Sequence, residues 1–194
     1  VKLFYPVARI LGRLAERGAG AQGIQVTIAL VDEKGLPLFY GRMDGTLPAS
    51  FELAISKAYT AAALGLPTQE VGDLAQPGKK LYGIQNTHQG RIVLFGGGLP
   101  LRLGGKVVGG VGISGGTVEE DIRIAELVVG ALEAMEKWSL RLEPDLVGKS
   151  FEKGWMDRLE AVFQGIWWKL QGSSSPDMVS IITGAALLAS RCRT

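Results

Sequence analysis

The chain has 194 residues, of which 28 are glycine and 46% are apolar, and its 21 basic and 19 acidic residues leave a net charge of +2. Glycine stands at about twice the ~7% usual in soluble chains. Collagen is excluded because there are only 8 prolines and no Gly-x-y period, a disordered linker by the apolar content, and a nucleic-acid or anionic-membrane footprint by the balanced charge.

The length fits one domain of roughly 100 to 200 residues, or one domain with an appendage. Cys192 is the single cysteine, so one chain can form neither an intramolecular disulfide nor an all-cysteine metal site, and a reducing cytoplasm is the expected compartment. Val1 to Leu14 mixes cations among its apolar residues and lacks a signal-peptide pattern. The apolar run Met178 to Ala189 falls short of the ~20 residues a membrane span needs.

In chain order, Leu3, Val7, Ile10, Leu11 and Leu14 recur at helical spacing and predict an amphipathic helix that ends in the glycines of Arg17 to Gly23. Ile24 to Val31 and Leu36 to Met43 then read as a hairpin around the turn Asp32-Glu33-Lys34-Gly35, with Pro37 placing the second strand at an edge. Between Pro48 and Leu64, Ala54, Ala58, Ala61 and Ala62 give a helix face with almost no bulk, suited to close packing on a sheet. Gly65-Leu66-Pro67 ends it, and Thr68 to Leu81 reads as a long irregular excursion of the kind that often carries function. Arg91 to Phe95, Leu99 to Leu103 and Lys106 to Ser114, divided by Gly96-Gly97-Gly98 and Gly104-Gly105, predict a three-stranded meander. Thr117-Val118-Glu119-Glu120 is a capping-box pattern opening a helix whose buried stripe is Ile124, Leu127, Val128, Ala131, Leu132 and Met135. From Glu143 onward three of the four tryptophans gather. Phe151, Trp155, Leu159, Phe163, Trp167 and Leu170 predict an amphipathic helix, and a short final helix follows over Met178 to Ser190. The expected division is a domain at 1–140 and a C-terminal helical extension at 141–194, whose residues 151–171 offer an aromatic face to the core or to a protein partner.

Gly110-Val111-Gly112-Ile113-Ser114-Gly115 has the literal dinucleotide-fingerprint spacing, but its glycines alternate inside a strand instead of forming the turn after one. His88 is the only histidine, which removes any multi-histidine metal site within one chain and leaves a solvated turn residue, an axial haem ligand or a general acid/base. Arg42, beside Asp44 where the second strand turns, reads as a local ion pair or as a planar fork for a carboxylate. Lys57 and Tyr59 on the alanine-rich helix read as core or surface residues. Glu119-Glu120-Asp121 reads as favourable charge in a first helical turn.

Val31-Asp32, Gly35, Arg42-Met43-Asp44-Gly45, Lys57-Ala58-Tyr59-Thr60-Ala61, Gly96-Gly97-Gly98-Leu99-Pro100-Leu101 and Val108 to Gly116 followed by Glu120-Asp121 occur in an order that resembles the GlcG/HbpS family, often labelled haem-degrading. Leu81-Tyr82-Gly83-Ile84-Gln85 makes it look most like the C-terminal domain of PduO-type cobalamin adenosyltransferases, over about residues 5 to 137. The resemblance implies an α/β (α+β) profilin-like sandwich, a five-stranded antiparallel sheet flanked by helices, assembled into homo-oligomers. It also implies binding of haem or a related tetrapyrrole such as a corrinoid, with links in some members to haem degradation or redox sensing. The adenosyltransferase chemistry of PduO proteins belongs to a separate N-terminal domain and does not carry over.

In the PduO-like haem binders the iron ligand is a histidine of the N-terminal helical region, and Val1 to Gly23 has none. The expected ligand is therefore His88, with Tyr82, a methionine or a neighbouring subunit as alternatives. The glycines Gly96, Gly97 and Gly98 are expected to let a flat ring approach backbone, and Arg42, Lys79 or Lys80 to meet its acidic side chains. The competing expectation is a non-catalytic accessory subunit of a cobalamin-dependent diol or glycerol system, docking through its aromatic tail. No catalytic constellation stands out.

Overall fold

The computed structural model describes residues 2–139, so the predicted C-terminal extension, with its partner-docking face, lies outside the described residues. Helix α1 (Tyr5–Ala21) leads into strands β1 (Thr27–Asp32) and β2 (Pro37–Arg42), then helices α2 (Ser50–Leu64) and α3 (Thr68–Leu74), strands β3 (Gly98–Leu103) and β4 (Lys106–Ser114), and helix α4 (Val118–Ser139). The strands form one antiparallel sheet in the order β2-β1-β4-β3. Pro37 and Pro100 therefore both sit on edge strands, where a missing N–H costs no central ladder bond.

The small-residue pattern explains how α2 meets the sheet. Ala54, Ala58 and Ala62 form a buried cluster with Ala29 and Val31 of β1. On β4, a methyl group placed at Gly110 would run into the Ala58 carbonyl oxygen, and one at Gly112 into the Ala54 carbonyl oxygen. Two strand residues advance ~6.7 Å and four helical residues ~6 Å, so glycines two apart on one sheet face stay in step with alanines four apart on the helix. The strand glycines thus bring helix backbone against sheet backbone, and the dinucleotide-loop reading of Gly110 to Gly115 falls away because Gly110 and Gly112 lie within β4.

The hairpin turn forms as predicted, with Lys34 and Leu36 N–H both donating to Asp32 Oδ1 at 2.9 Å and Gly35 at φ 77°. So does the capping box: Thr117 N–H donates to Glu120 Oε2 at 2.8 Å, and Glu120 N–H to Thr117 Oγ1 at 3.2 Å.

Helix α1 ends at Ala21, within the predicted stretch Arg17 to Gly23, with Gly23 at φ 70°. Two elements differ from expectation. The excursion after Pro67 begins with α3, whose Gly72 lets it close on the Leu94 carbonyl. The second difference is that Arg91 to Phe95 is not a strand, so the sheet has four strands among the described residues. Ile92 and Val93 are buried as a strand's residues would be. Their backbone, however, is met by one side chain of α2: Val93 N–H donates to Thr60 Oγ1 at 3.0 Å, and the same hydroxyl lies 3.2 Å from the Arg91 carbonyl oxygen.

Candidate functional site

The connection from α3 to β3 carries His88 and Tyr82. It is folded by two short 3-10 turns, Ile84–Asn86 and His88–Gly90. His88 (φ 52°) and Gln89 (φ 57°) are the positive-φ non-glycine residues of the described chain. Such a conformation costs a side-chain-bearing residue roughly 1–2 kcal/mol, and two in succession mark a turn held by its surroundings.

Proton counting assigns the histidine. The Thr87 hydroxyl donates its one hydrogen to the Ile84 carbonyl oxygen at 2.6 Å, and Thr87 Oγ1 lies 2.8 Å from His88 Nδ1. With that hydrogen committed, the contact is made by an Nδ1–H donating to Oγ1. In the neutral ring this arrangement leaves the lone pair on Nε2. The ring is exposed and stands 6.1 Å from that of Tyr59, over which the Arg91 guanidinium stacks at 3.9 Å. Tyr82 is 66% exposed on the same connection, as are the exposed side chains of Lys79 and Lys80.

The other expected residues lie elsewhere. Arg42 closes β2 opposite Thr27 and approaches the Thr46 carbonyl oxygen at 3.4 Å. The hairpin turn that touches Tyr59 through Gly35 is at the other end of β2, a strand of 6 residues. At ~3.3 Å per residue this puts Arg42 roughly 20 Å along the strand from that turn. Gly96, Gly97 and Gly98 are buried, and the space beside them is filled by Ile122, by Lys57 with Asp121, and by Thr68. Thr68 Oγ1 also accepts the Gly98 N–H at 3.0 Å.

Behind the triple glycine is a group the sequence left ambiguous. Lys57 is fully buried and donates to Asp121 Oδ2 at 2.7 Å and to the Ile113 carbonyl oxygen at 2.8 Å, with the Phe95 ring centroid 4.9 Å away. Asp121 Oδ1 accepts the Gly116 N–H at 3.1 Å. Burial pushes the Lys57 ammonium down and the Asp121 carboxyl up, and each partner's charge opposes the other's shift. The signal was present in the sequence: Lys57 lies in the stripe Ala54, Ala58, Ala61, where only a paired cation can be buried. Lys57 and Tyr59 lie ~200° apart around α2, so the ion pair and the histidine occupy different faces of that helix.

The family model described as haem degrading protein HbpS-like matches residues 5–129. The chain belongs to the HbpS-like family. Its relatives include a 15.0 kDa protein from the dhaT-dhaS intergenic region of Citrobacter freundii, 46% identical over 119 residues that make up 61% of this chain and 84% of that protein. The corrinoid adenosyltransferase PduO of Salmonella typhimurium is 40% identical over 129 residues, which are 66% of this chain and 38% of PduO. The solved complex of PduOC with heme superposes with a TM-score of 0.65 at 40% identity, covering 67% of this chain and 94% of PduOC. Heme binding is a property of PduOC there. Helix α1 of this HbpS-like chain has no histidine, and among the described residues no group of three or more His, Cys, Asp or Glu is placed to hold a metal ion. No described helix is long and apolar enough to cross a membrane.

Proposed function

We propose that this HbpS-like chain is a tetrapyrrole-binding module, taking haem or a corrinoid, with His88 Nε2 as the ligand to the ring's metal. The observation that carries the proposal is the Thr87 bridge, which gives Nδ1 a partner and leaves Nε2 as an exposed lone pair. Metal-ligating histidines characteristically have their second nitrogen held in this way. The donor set therefore fits a metal macrocycle. A bound haem supplies iron redox chemistry, and the chain supplies the nitrogen ligand, the Tyr59 ring beside it, and the cations Arg91, Lys79 and Lys80 for acidic side groups of the ring. Tyr82, on the same connection, is the alternative oxygen ligand. The exposure of His88 leaves room for a ring shared with a second copy in a homo-oligomer. The likeness to PduOC supports haem, and the likeness to PduO supports a corrinoid.

Hemin titration followed at the Soret band is expected to give a saturating shift with the wild-type chain and to lose it with His88→Ala. The variant should stay folded, since the His88 side chain is exposed and contributes no core packing. A shift that is the same in both proteins contradicts the assignment of His88. A Soret band unshifted in the wild type contradicts haem binding, and the same titration with a cobalamin then tests the corrinoid arm.

A further inference from the structure

A second site lies away from His88, between α1 and the edge strand β2. A cavity of about 480 Å³ opens there, lined among others by Arg9, Arg13 and Arg17 of α1, by Glu16, and by Phe39 and Tyr40 of β2. The volume is in the range of small-molecule sites, ~300–1,000 Å³. The three arginines fall four apart, so they form a row down one side of the helix with ~6 Å of rise between neighbours. With Glu16 as the one carboxylate in the wall, the formal lining charge is positive.

At Arg9 one atom of the row, the buried Nε, is left without a hydrogen-bond partner among the described residues. A buried N–H left without an acceptor costs about 1–3 kcal/mol, and in a well-folded protein it points to a water or an ion that completes it. Gly12 and Gly41 let the Phe39 ring lie close against α1. A side chain at Gly12 would collide with the Phe39 ring, and one at Gly41 with the Phe39 ring and with Glu16 Oε1 at 2.8 Å.

We infer that this cavity binds a small organic dianion whose two acidic groups sit about one helical turn apart, bridging Arg9 and Arg13, with its apolar body on Phe39. The guanidinium fork matches carboxylate and phosphate alike, and that shared chemistry defines the ligand class. A dicarboxylate of four or five carbons spans the spacing better than a compact phosphate.

Isothermal titration of the full chain with glutarate, pyrophosphate and acetate tests the inference. Saturable binding of glutarate or pyrophosphate is expected, weakened at least about tenfold by Arg13→Gln and by Arg9→Gln, weakened by added salt, and unchanged by His88→Ala. Glutarate and pyrophosphate distinguish the carboxylate from the phosphate source. Arg13 is exposed, so its variant tests the site even if Arg9→Gln alters the fold. The inference is overturned if neither dianion saturates, if acetate binds as tightly, or if Arg13→Gln leaves the affinity unchanged. Loss of binding in His88→Ala would show that the cavity is not independent of the histidine loop.

Discussion

Lys57→Met lowers the unfolding free energy by about 3–5 kcal/mol at neutral pH, because it strands Asp121 as an unpaired buried carboxylate. That is a large share of the roughly 5–15 kcal/mol that holds an ordinary domain together. The variant has a pH signature. Burial already raises the Asp121 pKa, and Lys57 supplies the main opposing effect. With Lys57 gone, the carboxyl stays protonated in the folded chain to a higher pH than in the unfolded one. A raised folded-state pKa contributes stability that is present below the unfolded value and lost as pH rises through the folded value. Denaturant melts of Lys57→Met should therefore approach wild-type stability near pH 4 and fall away toward neutrality. The double variant Lys57→Met, Asp121→Asn removes the charge while keeping an oxygen for the Gly116 N–H, and it should recover most of the loss at pH 7. A single variant within about 1 kcal/mol of wild type at pH 7 would contradict the buried pair.

Gly112→Ala is expected to cost about 3 kcal/mol or more, at the upper end of overpacking penalties. The added methyl meets the Ala54 carbonyl oxygen and lies 2.5 Å from the Ala58 amide nitrogen. Both are helix backbone atoms with no rotamer to escape into, so α2 has to lift off the sheet and loosen the cluster of Ala29, Val31, Ala54, Ala58 and Ala62. Gly130→Ala is the opposite case. Among the described residues nothing lies within 4 Å of its methyl, and Gly130 sits inside α4. There alanine removes the helix penalty of glycine, and the variant should gain about 0.5–1 kcal/mol. Urea midpoints of the two variants, measured side by side, read both effects. Equal shifts would mean that the glycines of β4 do not set the spacing between α2 and the sheet.

That contrast shows how far the sequence can be read. Gly96 to Gly116 holds 10 of the 28 glycines, and the strand glycines and the alanine stripe of α2 were each visible as a periodicity, while their matching to one another is seen in the fold. The same holds for α1, the hairpin, β3, β4 and the capped α4, because each announces itself through local spacing or turn chemistry. Arg91 to Phe95 carries the apolar signature of a strand, yet the hydroxyl that satisfies its backbone is Thr60, 31 to 33 residues earlier in the chain. Period alone could not separate a buried strand from a buried segment tied down by one side chain. Helix α3 was hidden by its length of seven residues and its flanking Pro67.

The site was legible in part. His88 stood out because it is the only histidine, whereas the Thr87 bridge that fixes its tautomer depends on a turn geometry that composition does not encode. Arg42 and the triple glycine drew attention by residue type. Their positions at the far end of β2 and against Lys57 follow from the sheet order and from the buried pair. The arginine row on α1 was present at a spacing of four, and it gains meaning once β2 is seen to close a cavity against it.

In the proposed module His88 Nε2 ligates the metal of a bound tetrapyrrole. The most direct test of that ligation uses the fact that the chain contains one histidine. Protein grown with ¹⁵N-labelled histidine, freed of any histidine tag and loaded with ferric haem, can be measured for magnetic coupling between the iron and the labelled nitrogen. Coupling to that nitrogen in the wild-type complex, absent from the complex formed with His88→Ala, is the predicted result. A haem complex with no histidine-nitrogen coupling would place the iron on another ligand and contradict the account.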